Sequence, residues 1–371
     1  ALKIDREFES QPTGEPVAAL LDGMPMENHR LLANRLVVDD PDNYGENYEA
    51  QCRLHGTGMS SLIIYGDLND NNPPISTPLY VRPVMKLKTW LDDRIERVPD
   101  SELFVDLLHR AVKRIFDGDA DSHPIKSIKI INLSIGDSSL LFYHTMSPVA
   151  RLLDWLSFKY DVLFIISAGN HLHSLELSTL YKDFKQLNDT DKEKLIYQKV
   201  VGDIRNRRLL SPSESINNIT VGSIHYDNTM LRKYDRRINP SSRLLPNVHS
   251  AFGGGYRKAI KPDMVFNGGR QFFNEAFLES RPTPLVFSCN RIEPGQPVAA
   301  PSSERDKTIF TRGTSNATAL ITRGAIKISE TLKDIFQDDY NSQLYSQYIP
   351  LLIKVMLAHG CRREAVRTGL S

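Results

Sequence analysis

Cysteine is scarce, and what there is cannot pair off. Cys52, Cys289 and Cys361 are the only three in 371 residues. An odd, low count gives no disulfide framework and fits a reducing compartment. An excess of one charge is also lacking. The 46 Lys and Arg nearly cancel the 45 Asp and Glu, leaving a formal net charge of +1. That balance offers no footprint for nucleic acid or an anionic membrane. The basic stretch 228–259 is poor in aromatics and has no repeat, so it reads as a surface loop with a tight turn at Gly253-Gly254-Gly255. No apolar run reaches the roughly 18 residues of a membrane span. The opening Ala1-Leu2-Lys3 begins no signal-peptide pattern. No G-x-G-x-x-G opens a helix after a first strand, which argues against dinucleotide binding. No G-x-S-x-G surrounds any candidate serine nucleophile, which argues against an α/β-hydrolase.

What is present is an ordinary globular composition, 40% hydrophobic and 25% charged, in a chain long enough for a full core. Its organising stretch is Gly313-Thr314-Ser315, followed by the helix-forming run 316–328. The serine arrives at a helix start, where free backbone N–H groups and the positive dipole end favour developing negative charge. Alone, Ser315 could equally be a helix cap. Two upstream stretches complete a set. Val17-Ala18-Ala19-Leu20-Leu21-Asp22-Gly23 is a buried-strand pattern ending in an acid. Leu54-His55-Gly56-Thr57-Gly58 puts a histidine at the start of an apolar helix with Met59, Leu62 and Ile63 in its body. The chain order Asp22, His55, Ser315 is one of the known orders of an acid–base–nucleophile triad.

On these residues the sequence resembles the subtilases, the subtilisin-like serine peptidases. Ser167-Ala168-Gly169-Asn170 is similar to the family's strand end, whose Asn is an oxyanion-hole donor. Three further stretches match in order: Ile130 to Gly136, Asn218 to Ser223, and Ile260-Lys261-Pro262-Asp263. The resemblance runs from about residue 17 to about residue 360. It implies an α/β, three-layer fold with a mostly parallel central sheet flanked by helices. It implies serine endopeptidase activity through Asp22, His55 and Ser315, with Asn170 and the Ser315 N–H as the oxyanion hole. Ser134, Ile135, Gly136, Ser167, Ala168 and Gly169 are the implied substrate-binding residues, acting by strand addition to an extended peptide.

Departures mark a divergent branch. Gly58 stands where the family often has a second His. Asn316 and Ala319 replace the usual Met and Pro after the serine. His29 is a loop histidine with no expected role in catalysis. Asp137 could bias the pocket toward basic side chains, although a solvated rim is the simpler reading. Cys52, three residues before His55, reads as a small core residue. The oxygen-rich loop 67–74 lies where subtilisins carry calcium but lacks their loop pattern, so it is a weakly supported candidate for structural calcium; no cofactor is required and no metal ligands are assigned. We expect a loose arm over 1–16 and a peptidase domain over 17–371, with an insertion at about 171–211 that overhangs the specificity pocket. Residues 101–116 and 147–157 read as helices, and 270–311 as irregular. The expected partners are a peptide or protein substrate and a regulatory domain or protein, with neither nucleic acid nor membrane. A cytoplasmic location is expected, although secreted subtilases without disulfides make cysteine count a weak guide. The competing reading is a catalytically silent subtilisin-like binding module, or a regulated component of a larger complex.

Overall fold

The structure is a computed structural model that describes residues 10–90, 93–231, 235–275, 282 and 284–361. Residues 1–9 of the expected arm and 362–371 lie outside these. The rest of the arm runs against the domain, with the Thr13 N–H donating to the Ser76 carbonyl.

In chain order the strands are β1 (Ala18–Asp22), β2 (Leu36–Val38), β3 (Leu79–Pro83), β4 (Lys86–Trp90), β5 (Asp93–Arg97), β6 (Ile130–Leu133), β7 (Asp137–Leu141) and β8 (Leu163–Ser167). They continue with β9 (Leu210–Ser211), β10 (Ile219–Ile224), β11 (Gly253–Gly254), β12 (Ile260–Lys261), β13 (Met264–Asn267), β14 (Gln296–Ala299) and β15 (Thr308–Thr311). The helices that matter here are α1 (Leu54–Tyr65), α2 (Phe104–Asp117), α3 (Pro148–Tyr160), α4 (Tyr181–Gln186), α5 (Asp189–Gly202), α6 (Thr314–Phe336), α7 (Gln343–Ser346) and α8 (Ile349–Gly360).

Seven strands form one parallel sheet in the order β13-β10-β8-β6-β1-β3-β2. Its central strands are covered on both faces, which is why they read as unbroken apolar runs. Side chains alternate between two cores. Ala18 and Leu20 join Leu62 of α1 and Ala317 and Ile321 of α6 on one side. Ala19 and Leu21 join Leu107 of α2 and Leu153 of α3 on the other. The result is the expected three-layer α/β fold.

Two helices on the first face are tied together where the end of α1 meets the middle of α6. Arg323 of α6 is 5% exposed and donates to the carbonyls of Ile63 and Ile64 at the end of α1, and to that of Pro73. It satisfies acceptors that a helix C-terminus leaves open.

Three segments differ from the sequence reading. Residues 86–90 and 93–97 pair as an antiparallel hairpin, β4 with β5, where no element was expected. Within the irregular stretch 270–311, β14 and β15 pair as a second hairpin. In segment 171–211, α4 and α5 build a satellite core. Tyr181, Phe184, Ile196 and Val200 pack there with Val248, Phe273, Leu285 and Phe287. Among the described residues neither helix lines the central cleft, whereas Leu172 and Leu210, near the two ends of the same segment, do.

Candidate active site

Asp22 closes β1 at its carboxyl end, where open parallel sheets place their sites. Its side chain is fully buried and accepts the Gly23 N–H at 2.7 Å. His55 stands beside it because α1 comes unusually close to the turn after β1. A methyl group built on Gly56 would fall 2.0 Å from the Gly23 carbonyl oxygen, so only glycine permits this approach. His55 Nδ1 lies 2.7 and 2.9 Å from the two Asp22 oxygens. A carboxylate can only accept, so Nδ1 carries the proton. Nε2 is then the basic nitrogen whenever the ring is neutral. Burial acts to lower the His55 pKa. The charge and hydrogen bond of Asp22, with the charge of Glu96, outweigh it and push the value up to about 9.

Ser315 is the second residue of α6 and 8% exposed. Gly313 precedes the helix with φ of 152°, a conformation that strains other residues. Thr314 then fixes Asn170: its N–H donates to Asn170 Oδ1 at 2.9 Å and its hydroxyl to the same oxygen at 3.2 Å. An amide whose oxygen is held by two donors must turn its NH₂ the other way. Asn170 also lines the cleft together with Ser315. Asn316, in place of the family's Met, donates to Gln296 of β14 and Thr311 of β15, both at 2.9 Å, and α6 begins regularly without the usual proline.

The Ser315 hydroxyl donates to the Ser134 carbonyl at 3.1 Å. Among the described residues no hydrogen bond joins it to His55. Asp22 and His55 are thus in direct contact, and Ser315 shares their cleft with its hydroxyl turned aside. The Ser134 hydroxyl in turn donates to Asn132 Oδ1 at 2.9 Å, and Asn132 donates to Thr322 of α6 at 2.7 Å. This buried chain ties the end of β6 to the serine helix.

The cleft has two lobes, of about 420 and 320 Å³, and both are lined by His55, Asn170 and Ser315. The first lobe also takes Ser134, Ile135, Gly136, Ser167 and Gly169 from the sequence-predicted set. Ala168 is not among its lining residues. It is fully buried against Phe142, Leu209 and Ala251, as the alternation of a strand requires once Ser167 and Gly169 face the cleft. Asp137 is absent from the lining too, its carboxylate accepting from the N–H and hydroxyl of Ser139. His29 is buried. Its Nδ1 accepts the Leu31 N–H and its Nε2 donates to the Lys307 carbonyl, while burial lowers its pKa.

Sequence reasoning missed several residues of the first lobe, and two of them shape the site. Leu210 of β9, 3% exposed, fills the gap between Gly136 and Gly169. A methyl group built on Gly169 would fall 2.5 Å from Leu210 Cγ, and one on Gly136 3.3 Å from Leu210 Cβ. Glu96 of β5 reaches the start of α1 and lines both lobes. No local pattern in the sequence signals either contact.

In the loop 67–74, Asp67 accepts from the Asn69 N–H and Asp70 from Asn228. Among the described residues no three His, Cys, Asp or Glu side chains cluster as a metal would need. Nor is any helix among them long and apolar enough to cross a membrane.

The architecture and the motif order define a subtilisin-like hydrolase. The model of the subtilase family matches residues 14–347, and the chain belongs to that family of serine peptidases. Peptide or protein substrates follow from membership. A search of curated proteins finds no match. Similar solved structures include a serine-to-alanine mutant of the protease domain of PatA, 18% identical, covering 88% of this chain and 82% of that one with a TM-score of 0.47. The prenylagaramide maturation protease PagA is 18% identical over 85% of this chain and 76% of that one, TM-score 0.45. A cold-adapted subtilisin-like serine proteinase is 14% identical over 95% and 85%, TM-score 0.46.

Proposed function

We propose that this chain is a serine endopeptidase working through Asp22, His55 and Ser315. The observation that carries the reading is the meeting of the two cleft lobes at His55, Asn170 and Ser315, with the His55 tautomer fixed by Asp22. A groove continuing on both sides of a nucleophile suits an extended peptide held in mid-chain. His55 Nε2 takes the Ser315 proton as Oγ attacks the scissile carbonyl, forming the C–O bond of a tetrahedral intermediate. The imidazolium is stabilised by Asp22. The oxyanion is received by Asn170 Nδ2 and the Ser315 N–H, one of the donors a helix start leaves open. Collapse expels the amine, which takes the proton from His55. Water, deprotonated by His55, then releases the acyl group. Attack first requires the hydroxyl to leave the Ser134 carbonyl, a rotation about χ1 between staggered positions.

That Ser134 bond favours the second reading, a silent binding module. Segment 171–211, with its satellite core, fits an insertion serving a regulatory contact, and calcium is not required for the proposed chemistry. The deciding experiment is labelling with a fluorophosphonate, wild type beside Ser315→Ala, with mass mapping. An adduct on Ser315 that the variant lacks supports the peptidase. A folded protein with no adduct supports the silent module.

A further inference from the structure

We propose that Glu96, delivered by the β4–β5 hairpin, is a second carboxylate that positions His55 and stabilises its imidazolium. This rests on the triad reading of the site. Helix α1 starts without help from its own N-cap: Arg53 makes no side-chain capping bond. Glu96 supplies the missing acceptor from a distant element, taking the His55 N–H on Oε2 at 2.7 Å. Its other oxygen accepts from the Tyr48 hydroxyl. Both oxygens are thereby engaged, and the carboxylate has a fixed direction.

The space for it is built in. A methyl group on Gly23, next to Asp22, would fall 2.6 Å from Glu96 Oε1 and 3.1 Å from the Tyr48 hydroxyl. Among the described residues Glu96 has no Lys or Arg partner. Arg94, on the same strand, pairs with Glu49. The other ionisable groups beside Glu96 and the ring are Asp22, Tyr48 and Cys52; Arg291 lines both lobes and Arg312 the second, but among the described residues neither forms an ion pair with Glu96. A partly buried carboxylate without a cation is poorly compensated until His55 becomes charged. His55 becomes charged as the serine attacks, so the interaction strengthens along the reaction and lowers its barrier. Burial pushes the Glu96 pKa up, against the opposing pull of His55 and the Tyr48 bond. The alkaline range in which His55 is neutral and able to act as a base keeps Glu96 ionised.

The test is Glu96→Gln, which keeps an acceptor for the His55 N–H and removes the charge. The His55 imidazole is titrated by NMR and Ser315 labelling by a fluorophosphonate is followed against pH. The expected result is a His55 titration at lower pH, with the acid limb of labelling moving alongside it. The alkaline plateau rate falls about 10-fold, as for loss of one nearby charge. A His55 titration and acid limb that stay in place would overturn the proposal, even if the rate dropped. If the variant does not fold, the wild type decides. The His55 resonances must show a step where the Glu96 carboxyl titrates by carbon NMR, and the absence of that step overturns the coupling. A wild type that never labels, with His55 displaced in Glu96→Gln, sinks the triad reading and leaves the coupling standing. A labelled wild type with His55 undisplaced does the reverse.

Discussion

Leu210 makes a prediction about which side chain can sit beside the scissile bond. It occupies the space between Gly136 and Gly169, the two segments that bracket the first lobe of the cleft. We predict that, with Leu210 in place, the wall favours a small side chain such as Ala over Phe. Leu210→Ala removes three carbons from that wall. Each methylene a hydrophobic site gains or loses is worth about 1–3 kcal/mol, or roughly 10–200-fold in discrimination. The ratio of kcat/KM for a Phe substrate over an Ala substrate should therefore rise by at least about 10-fold. Truncating a buried leucine also costs about 2–5 kcal/mol of stability, so the Tm must be followed alongside. The assay is a set of peptides differing only at the residue on the acyl side of the cut. A variant with lowered Tm and unchanged selectivity would refute the reasoning and return Leu210 to the core. So would a wild type that cuts after Phe as readily as after Ala.

Asn170→Ala should lower kcat by about 10²–10³, a magnitude carried over from subtilisin itself, the type member of this family. Thr314→Val, which deletes one of the two restraints on that amide, should lower kcat less, with KM little changed in steady-state assays. Activity should rise with pH through about 9, because a protonated His55 cannot accept the serine proton. The stability contributed by its raised pKa is full below the ordinary histidine range and is lost as pH rises through about 9; kcat/KM and Tm against pH test both statements. His29→Ala should leave labelling of Ser315 intact and cost about 1–3 kcal/mol in denaturant unfolding, since it strands the Lys307 carbonyl and the Leu31 N–H.

The parts of this fold legible in the sequence are those whose signal is local. β1 and α1 announce themselves by an unbroken apolar run and by a Gly-rich start whose glycine has a steric purpose at Gly56. α6 does so by Gly313 and the small residues after it. β4 and β5 are five residues each, and Asp93-Arg94-Ile95-Glu96-Arg97 holds one apolar residue among four charged ones, so no buried-strand period marks Glu96. β14 and β15 were hidden among prolines. Leu210 is a plain hydrophobe whose place depends on two glycines far away in the chain. Ala168 was assignable in principle, because in a strand end only every second residue can face the cleft.

The Arg323 tie between α1 and α6 has a mechanical consequence. His55 sits nine residues from Ile64 and Ser315 eight from Arg323, so each reacting group rides on a lever arm of about 12–14 Å. One degree of relative rotation about the tied end moves a group by about 0.2 Å, a sizeable part of the roughly 0.5 Å within which such constellations work. The Arg323 guanidinium, about 12 Å along α6 from Ser315, thus helps to set the tolerance to which the two helices are aligned, as a pivot does for the jaws of a pair of pliers.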